Sequence, residues 1–379
     1  MKVMIASQGY PSEKYPMNGI HQFVYAKALQ KQGIDVFVAC LDMRSIRRFR
    51  KFGYEEKIVD GIRTYAWNLP VGGLGVKAEG KYSVWAMKKL YKKIIAKEKN
   101  IDLIHSHFTE TSYAIAKFNK DYNYPYIISE HSSSINKENI LDIPYAKREM
   151  AKYAYENCDK LIVGSPFFRD RIHRNFHIEP IVMPTISETD LFKVGKKDIN
   201  RQAYKIVSTG NLKKSKGHRE VIEAFGKSLK NKDAKLYIFG GGEDYNYLKA
   251  LIEKLDLEKQ VFLRGYISIE DIAKEYKDAD LFVLASHSET YGKAYIEAMK
   301  AGLPVISTTN GGSEHFINED NGLVVPVENV DKLKDGLIYM FNHRDKYDKL
   351  SISEFIENNF SELAATKKLI ELYKDLLKR

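Results

Sequence analysis

Two glutamates eight positions apart flank the start of a predicted helix in SHSETYGKAYIEAMKAGLPVIS, residues 286–307. Glu289 follows a strand-like run in a polar turn, and Glu297 lies on the helix predicted over 291–300. Because eight helical residues rise about 12 Å, the carboxylates are expected roughly 9 to 12 Å apart, at or beyond the reach of a glycosidase acid/base pair. That separation suits hydrogen bonds to hydroxyl groups at the two ends of one elongated ligand.

The residues between these glutamates favour the binding of an anion. Gly292 lies in the turn at the helix start, where backbone N–H groups lack intrahelical partners and the helix dipole is positive. Such a start binds phosphate or diphosphate. In the structural alternative, Glu289 is only a helix cap and Glu297 a solvated residue. The combination of turn and spacing instead favours a ligand with hydroxyls at both ends and phosphates between them.

These residues lie in a chain that alternates strands and helices. Helix patterns cover residues 20–31, 82–97, 144–157 and 360–379, with a polar break over 183–202. Strand patterns cover residues 2–7, 35–40, 62–67, 102–105, 126–130, 160–164, 205–208, 235–239, 261–264, 281–285 and 304–307. Such alternation indicates βαβ units. We therefore predict an α/β fold with two doubly wound domains, 1–192 and 193–358. Their ligands should lie in a cleft beyond the carboxyl ends of the strands.

Composition excludes several classes of protein. With 379 residues and 44% hydrophobic residues, the chain has enough apolar surface for two folded domains. Its 2 cysteines are too few for a disulfide framework. No apolar run approaches the about 20 residues of a membrane-spanning helix, and no signal-peptide pattern is visible. We therefore expect a cytoplasmic location.

The glutamate pair in SETYGKAYIEAMKAGLPVI resembles the signature of the retaining nucleotide-sugar glycosyltransferases of family 4. Other segments resemble that family in the same order along nearly the whole chain: YPMNGIHQFVYAKALQKQG, IDLIHSH, IISEHSSS, VGSPFFRDRI, VMPTISETDLFK and STGNLKKSKGHREVIEAF. The resemblance implies the GT-B fold, two Rossmann-like domains with an inter-domain cleft. It also implies that the C-terminal helix, within 359–379, returns to the N-terminal domain.

For the second domain, the resemblance implies a bound nucleotide sugar. Glu297 would accept hydrogen bonds from the ribose hydroxyls, and Glu289 would bind the hydroxyls of the donor sugar. Sugar and diphosphate oxygens would meet the amides of Tyr291, Gly292 and Lys293.

The same resemblance implies three further roles. Lys216 would neutralise the diphosphate leaving group, a task that suits a compact ammonium. In the first domain, Gly19 would let the backbone approach the phosphates, and His131 would lie near the reacting sugar carbon. The expected catalytic residues are therefore His131, Lys216 and Glu289.

One donor-binding position departs from the family pattern. The family commonly has an arginine five positions before the lysine, and this chain has Asn211 there. Lys213 or Lys214 is a candidate to replace the missing charge; in the alternative, Lys216 alone stabilises the leaving group. His105 and His107 form no recognisable metal-ligand set with a carboxylate or cysteine, and no DxD motif lies where a metal-dependent transferase would need one. The resemblance is also to metal-independent enzymes, so we expect no metal and no cofactor.

Basic residues concentrate in the first half, with 29 Lys and Arg against 21 Asp and Glu in residues 1–190. The first basic segment, residues 43–57, places Arg44, Arg47, Arg48, Arg50 and Lys51 among Ile46, Phe49 and Phe52. The second combines Lys88, Lys89, Lys92 and Lys93 with Trp85, Leu90, Tyr91 and Ile94. No nucleic-acid motif accompanies them, so we expect an anionic membrane surface as partner and no nucleic acid.

The resulting hypothesis is a retaining transferase that moves a hexose or N-acetylhexosamine from a nucleotide diphosphate sugar, UDP favoured. The expected acceptor is a hydroxyl of a polyprenyl-linked or other growing cell-surface glycan, as in capsule or O-antigen assembly, at the inner face of the cytoplasmic membrane. Two alternatives remain at this level: a nucleotide-sugar epimerase of the same fold, and a degenerate nucleotide-sugar-binding scaffold.

Overall fold

A computed structural model describes residues 1–45, 51–195 and 203–378 of the chain. The chain divides into two compact units. The first unit combines Met1–Ser187 with Glu362–Arg379, and the second is Glu188–Ser361. The predicted domain boundaries, after residues 192 and 358, lie five and three residues from these divisions.

The first unit is built on an eight-stranded sheet in the order β3-β4-β2-β1-β5-β6-β7-β8. Its strands are β1 Lys2–Ser7, β2 Asp35–Asp42, β3 Gly53–Val59, β4 Ile62–Asn68, β5 Leu103–His107, β6 Tyr126–Glu130, β7 Lys160–Val163 and β8 Ile181–Val182. All neighbours pair in parallel except β3 with β4. Strand order reverses between β1 and β5, which is where ligands of doubly wound sheets bind.

Five helices connect these strands: α1 Ile20–Lys31, α2 Val76–Glu98, α3 Thr109–Asn119, α4 Tyr145–Glu156 and α5 Pro166–Phe176. Local sequence explains some of their starts. The Ser165 hydroxyl accepts a hydrogen bond from the Phe168 amide at 3.3 Å, and Pro166 occupies the first turn of α5. Buried apolar residues from these helices cover β1, β5 and β6, which are themselves almost wholly buried.

The second unit has a six-stranded parallel sheet in the order β11-β10-β9-β12-β13-β14. Its strands are β9 Tyr204–Thr209, β10 Ala234–Phe239, β11 Val261–Leu263, β12 Leu281–Val283, β13 Val305–Thr308 and β14 Gly322–Val325. Its helices are α6 His218–Leu229, α7 Tyr245–Lys254, α8 Ile269–Lys277, α9 Lys293–Lys300, α10 Val330–Asn342 and α11 Lys349–Phe360. Here strand order reverses between β9 and β12.

The last helix, α12 Glu362–Leu377, belongs to the first unit. Its buried Tyr373 hydroxyl lies 2.5 Å from Nδ1 of His105 on β5, and Nε2 of His105 lies 2.8 Å from the Ser129 hydroxyl. Lys31 of α1 forms an ion pair with Glu362 at 2.6 Å. These contacts and the buried face of α12 hold the C-terminal segment on this unit.

We expect the His105 contact to make the first unit sensitive to acid. Burial, with a smaller contribution from the charge of His21, lowers the pKa of His105 to about 3. The unfolded chain binds the proton near pH 6.5, so stability is present above that pH and is lost as pH falls. The expected loss from His105 is about 2 kcal/mol between pH 7 and pH 5.

Urea unfolding followed by tryptophan fluorescence measures this effect, because both tryptophans, Trp67 and Trp85, belong to the first unit. The matched variant is His105→Gln, whose amide does not titrate. Wild type should lose about 2 kcal/mol more than this variant over the same pH range. Equal pH slopes in the two proteins would contradict the prediction.

The predicted α/β class with two doubly wound sheets is confirmed. The predicted spans for α1, β1 and β6 match the observed bounds, whereas α2 begins six residues earlier than predicted. The edge strand β3 and the helices α3 and α5 were not predicted. At the C-terminus, the predicted helix over 360–379 is wrong at its start, because Ser361 separates α11 from α12.

Candidate active site

A pocket of about 330 Å³ lies at the carboxyl ends of β9 and β12 in the second unit, where the strand order reverses. We call it the α9 pocket, because the first turn of α9 forms one wall. It is lined by Thr209, Gly210, Asn211, Lys216, Leu284, Glu289, Gly292, Lys293, Ala294, Tyr295 and Glu297. The two predicted carboxylates and the predicted lysine therefore line the same pocket.

An ion pair joins the two expected catalytic side chains of this unit. Lys216 Nζ donates a hydrogen bond to Glu289 Oε1 at 2.5 Å, although the residues are 73 positions apart. Both side chains are largely buried, with exposed fractions of 22% and 15%. A pair that is shielded but open to the pocket can exchange its internal contact for hydroxyl and phosphate oxygens of a ligand.

Glycines fix the backbone on both sides of this ion pair. Gly217, which follows Lys216 and immediately precedes α6, has φ 67°, and a Cβ there would lie 1.9 Å from the Ala285 carbonyl oxygen. A Cβ on Gly312 would lie 2.6 Å from Cβ of Glu289. Larger residues at either position would displace the backbone that carries the pair.

A buried loop after β13 supports the Glu289 turn. The Glu289 amide donates to the Asn310 carbonyl at 2.9 Å, and the Asn310 side-chain oxygen accepts from the Gly312 amide at 2.9 Å. The Asn310 amide group donates to Ser307 at 3.0 Å. Sequence reasoning missed this support. The NGGSE segment was the available signal, since paired glycines beside a short polar side chain mark a tight turn.

The start of α9 provides the expected anion-binding end. Gly292 precedes the helix with φ 86°, a conformation that favours glycine. Lys293 Nζ lies 3.4 Å from Glu297 Oε1, one turn further along the helix. Burial raises the pKa of Glu297, and Lys293 opposes that shift. Tyr291 is not in the described lining of the pocket, and its ring, 5% exposed, lies near His315 and Phe316. A ligand contact of its backbone amide stays a prediction.

Asn211 does line the α9 pocket, as expected of a donor-binding position. Its side-chain oxygen accepts a hydrogen bond from the Tyr266 hydroxyl at 3.4 Å. Lys213 and Lys214, the suggested replacements for the missing arginine, line a different pocket of about 270 Å³. The lysines in the described lining of the α9 pocket are Lys216 and Lys293.

In the first unit, the fold itself requires Gly19. It precedes α1 with φ 72°, and a Cβ there would lie 2.2 Å from the carbonyl oxygen of Gly9. Neighbouring Asn18 lies against Gly9 and donates to Asp42 at 3.5 Å. A close approach of backbone to ligand phosphates at Gly19 stays a prediction.

His131 follows β6, and a buried carboxylate holds its backbone. Glu130 Oε1 accepts from the His131 and Ser132 amides, both at 2.9 Å. Glu130 Oε2 accepts from the Thr109 hydroxyl at 2.7 Å and the Tyr155 hydroxyl at 2.8 Å. Burial, together with the charges of His21 and His105, lowers the pKa of His131 well below its usual value. The imidazole is therefore neutral at pH 7.

The structure describes only part of the first basic segment but all of the second. Arg47, Arg48 and Arg50, with Ile46 and Phe49, lie outside the described residues. Arg44 is largely buried, with an ion pair to Asp42 at 3.0 Å and its guanidinium 4.5 Å from the Tyr15 ring centre. The lysines of the second segment are exposed on α2, beside the exposed Trp85. The expectation that Leu90, Tyr91 and Ile94 share that surface is wrong, because they are buried against the sheet.

The structure gives one finding on membrane insertion. Among the helices of the described residues, none has both the length and the apolar character that a membrane span requires.

Two family models match the chain in tandem. Residues 18–187 match the model described as Glycosyltransferase Family 4, and residues 191–354 match the model described as Glycosyl transferases group 1. The first match falls within the first unit and the second within the second unit. The Glu289 and Lys216 turns both lie inside the second match.

Two curated relatives that match the chain are named as synthases of sugar phosphates. The chain is 26% identical over 291 residues to mannosylfructose-phosphate synthase of Agrobacterium fabrum, a match that covers 66% of this chain and 63% of that protein. It is 30% identical over 302 residues to a probable sucrose-phosphate synthase of Thermosipho melanesiensis, covering 70% and 67%. The chain thus matches about two thirds of the length of these curated relatives.

Solved structures share the fold. The crystal structure of Anabaena HepE in complex with UDP and glucose matches with a TM-score of 0.73 at 17% identity, covering 99% of this chain and 100% of that chain. At that identity the likeness concerns the fold alone. Two parallel α/β units, two tandem family matches and a 30% identical relative agree. This chain is therefore a member of the family 4 glycosyltransferases, an enzyme with the GT-B fold that acts on nucleotide sugars.

Proposed function

We propose that the protein is a retaining hexosyl- or N-acetylhexosaminyltransferase that uses a UDP sugar. The observation that carries this proposal is the Lys216–Glu289 ion pair at the start of α9, in one pocket with Glu297. Cations and a helix start suit a diphosphate, and carboxylates suit hydroxyls on either side of it. UDP is favoured because the Anabaena protein was crystallised with UDP and glucose.

The donor would lie along the α9 pocket with each end at one carboxylate. Glu297 would accept hydrogen bonds from the ribose, and Glu289 from the sugar. Lys216 and Lys293 would contact the diphosphate, together with the amides of Gly292 and Lys293. Asn211, which is neutral, would contribute hydrogen bonds but no charge.

The reaction would proceed on one face of the sugar. The bond between the anomeric carbon and the diphosphate oxygen breaks while an acceptor hydroxyl attacks from the same side. The departing phosphate oxygen takes the acceptor proton. Lys216 would stabilise the charge that develops on the diphosphate, an electrostatic role that a fixed ammonium performs well. We include His131 as the contribution of the first unit, and we propose that transfer requires neither metal nor cofactor.

The acceptor is proposed to be a polyprenyl-linked or other growing cell-surface glycan at the cytoplasmic membrane face. The exposed lysines and Trp85 of α2 support this, because basic residues beside aromatic ones bind anionic lipid surfaces. A soluble sugar phosphate is the second candidate, because the two curated relatives described above are named for phosphorylated products.

One experiment tests donor, acceptor and stereochemistry together. Wild type is incubated with UDP sugars and either a polyprenyl-diphosphate glycan in vesicles or a hexose phosphate, and the product anomer is determined by NMR. The proposal expects retention, no demand for divalent metal, and faster transfer on anionic than on zwitterionic vesicles. Conversion of the UDP sugar without acceptor would indicate an epimerase, and binding without any turnover would indicate a scaffold.

A further inference from the structure

Three imidazoles converge at the point where strand order reverses in the first sheet. His21 lies in the first turn of α1, His107 ends β5 and His131 follows β6. One ring nitrogen of each lies within 4.8 Å of the corresponding nitrogens of the other two. We call these residues the histidine trio. They are 24 or more positions apart in sequence, so the fold brings them together.

The spacing of two rings matches a metal centre as well as a hydrogen bond. His107 Nδ1 lies 3.3 Å from His131 Nε2. That distance is at the long end for an N–H donor to a nitrogen acceptor. Two nitrogens bound to one tetrahedral zinc ion at about 2.0 to 2.1 Å are separated by about 3.3 to 3.4 Å. The two rings therefore stand at the spacing of two ligands of one ion.

The protein leaves His107 incompletely satisfied. Its side chain is fully buried, yet Nε2 has no hydrogen-bond partner among the described residues. Its other nitrogen has the long contact to His131. Nε2 lies on the side of the ring away from His131 and is not part of the proposed centre. Nδ1 is the candidate ligand atom, because an ion bound to both rings would replace its long contact to His131.

We propose that the histidine trio binds one transition-metal ion of the Zn²⁺ type, with an open fourth position. Imidazole nitrogens suit zinc, copper and nickel, and the trio contains no carboxylate of the kind that magnesium and calcium prefer. His21 and His131 are only partly buried, which provides access from solvent. Three histidines with an open position form a set that zinc adopts in proteins.

His105 is outside this centre. Both of its ring nitrogens already contact hydroxyl groups, those of Tyr373 and Ser129. Among the histidines, the sequence-based expectation of no metal considered His105 and His107 alone. The residues that could share an ion with His107 are distant from it along the chain. The fold supplies His21 and His131 instead.

The consequence for activity rests on the proposed function. If His131 takes part in transfer, an ion that occupies its lone pair blocks that role. Transfer should then need no metal, be inhibited by Zn²⁺ and recover when a chelator is added. The metal site itself does not depend on transfer and can be measured without any sugar substrate.

The test measures binding directly on the full chain. Metal-free protein is titrated with Co²⁺, whose visible absorption reports a low-coordinate nitrogen site, and with Zn²⁺ against a chromogenic chelator. Wild type should bind one equivalent. His21→Ala should weaken binding at least tenfold, since even loss of a supporting group around a metal costs about 10- to 100-fold.

Variants outside the histidine trio serve as controls for where the ion binds. His173→Ala removes a histidine whose side chain is 61% exposed and should bind like wild type. His287→Ala disrupts a second group, Glu220, His287 and Glu328, and should also bind like wild type. Circular dichroism checks that each variant is folded, and His131→Ala is a second variant of the trio.

Equal affinity in wild type, His21→Ala and His131→Ala would overturn the assignment, as would loss of the single equivalent in His287→Ala. Absence of binding in wild type would also overturn it. Metal binding without inhibition of transfer would retain the site but remove its effect on His131. Inactive protein that still binds one ion through the trio would count against the proposed function alone.

Discussion

Replacing Lys216 with methionine should lower the rate constant for sugar transfer by about 100-fold to 1000-fold, the effect of removing one preorganised charge-stabilising donor. Methionine preserves the length and the apolar stem of lysine. What it removes is the ammonium that lies 2.5 Å from Glu289 and that would stabilise the departing diphosphate. The measurement is kcat and KM for the UDP sugar under saturating acceptor.

The matched control for this prediction is Lys213→Met. Lys213 immediately precedes the short 3₁₀ helix Lys214–Lys216, but it is exposed and lines a different pocket. Its replacement should change kcat less than twofold. A Lys216→Met enzyme with unchanged kcat would contradict the assigned role, and equal losses in both variants would indicate a general electrostatic effect of the turn.

Replacing Glu289 with alanine should reduce kcat/KM by about 100-fold to 10,000-fold, because two hydrogen bonds to a charged group contribute about 1.5–3 kcal/mol each. The variant removes the carboxylate that would hold the donor sugar. It also leaves Lys216 without its buried partner, which is unfavourable in a shielded site. Steady-state kinetics with circular dichroism as the fold check measures this loss.

Glu319→Ala is the control, since that glutamate is exposed and does not line the α9 pocket. Combining Lys216→Met with Glu289→Ala should cost less than the sum of the two single losses, because the residues contact each other. A folded Glu289→Ala enzyme with wild-type activity would refute the proposed site.

Most of the fold could be predicted from the sequence, because parallel strands that are buried on both faces appear as apolar runs. The segments over β1, β6 and α1 were predicted to the residue. The strand β3 was not, since its GYEEKIV sequence carries charges that suit an edge but hide the strand pattern. Register and sheet order, which place β9 beside β12, depend on contacts between residues distant along the chain.

Only part of the candidate site could be predicted from the sequence. The Glu289 and Glu297 spacing predicted two carboxylates near one helix start, and the structure places both in the α9 pocket. The Lys216–Glu289 ion pair and the support from Asn310 had no local signal, because each joins separate loops. The histidine trio was missed for the same reason. His131 and Gly19 as participants in transfer stay predictions.

The central claim is that the α9 pocket binds a nucleotide diphosphate, and calorimetry with UDP, GDP and ADP tests it most directly. Wild type should bind UDP most tightly. Glu297→Gln should weaken that binding about 10-fold or more, since a hydrogen bond to a charged group is worth about 1.5–3 kcal/mol. Glu319→Ala should bind UDP like wild type. Failure of wild type to bind any of the three nucleotides, or equal UDP affinity in wild type and Glu297→Gln, would contradict the account.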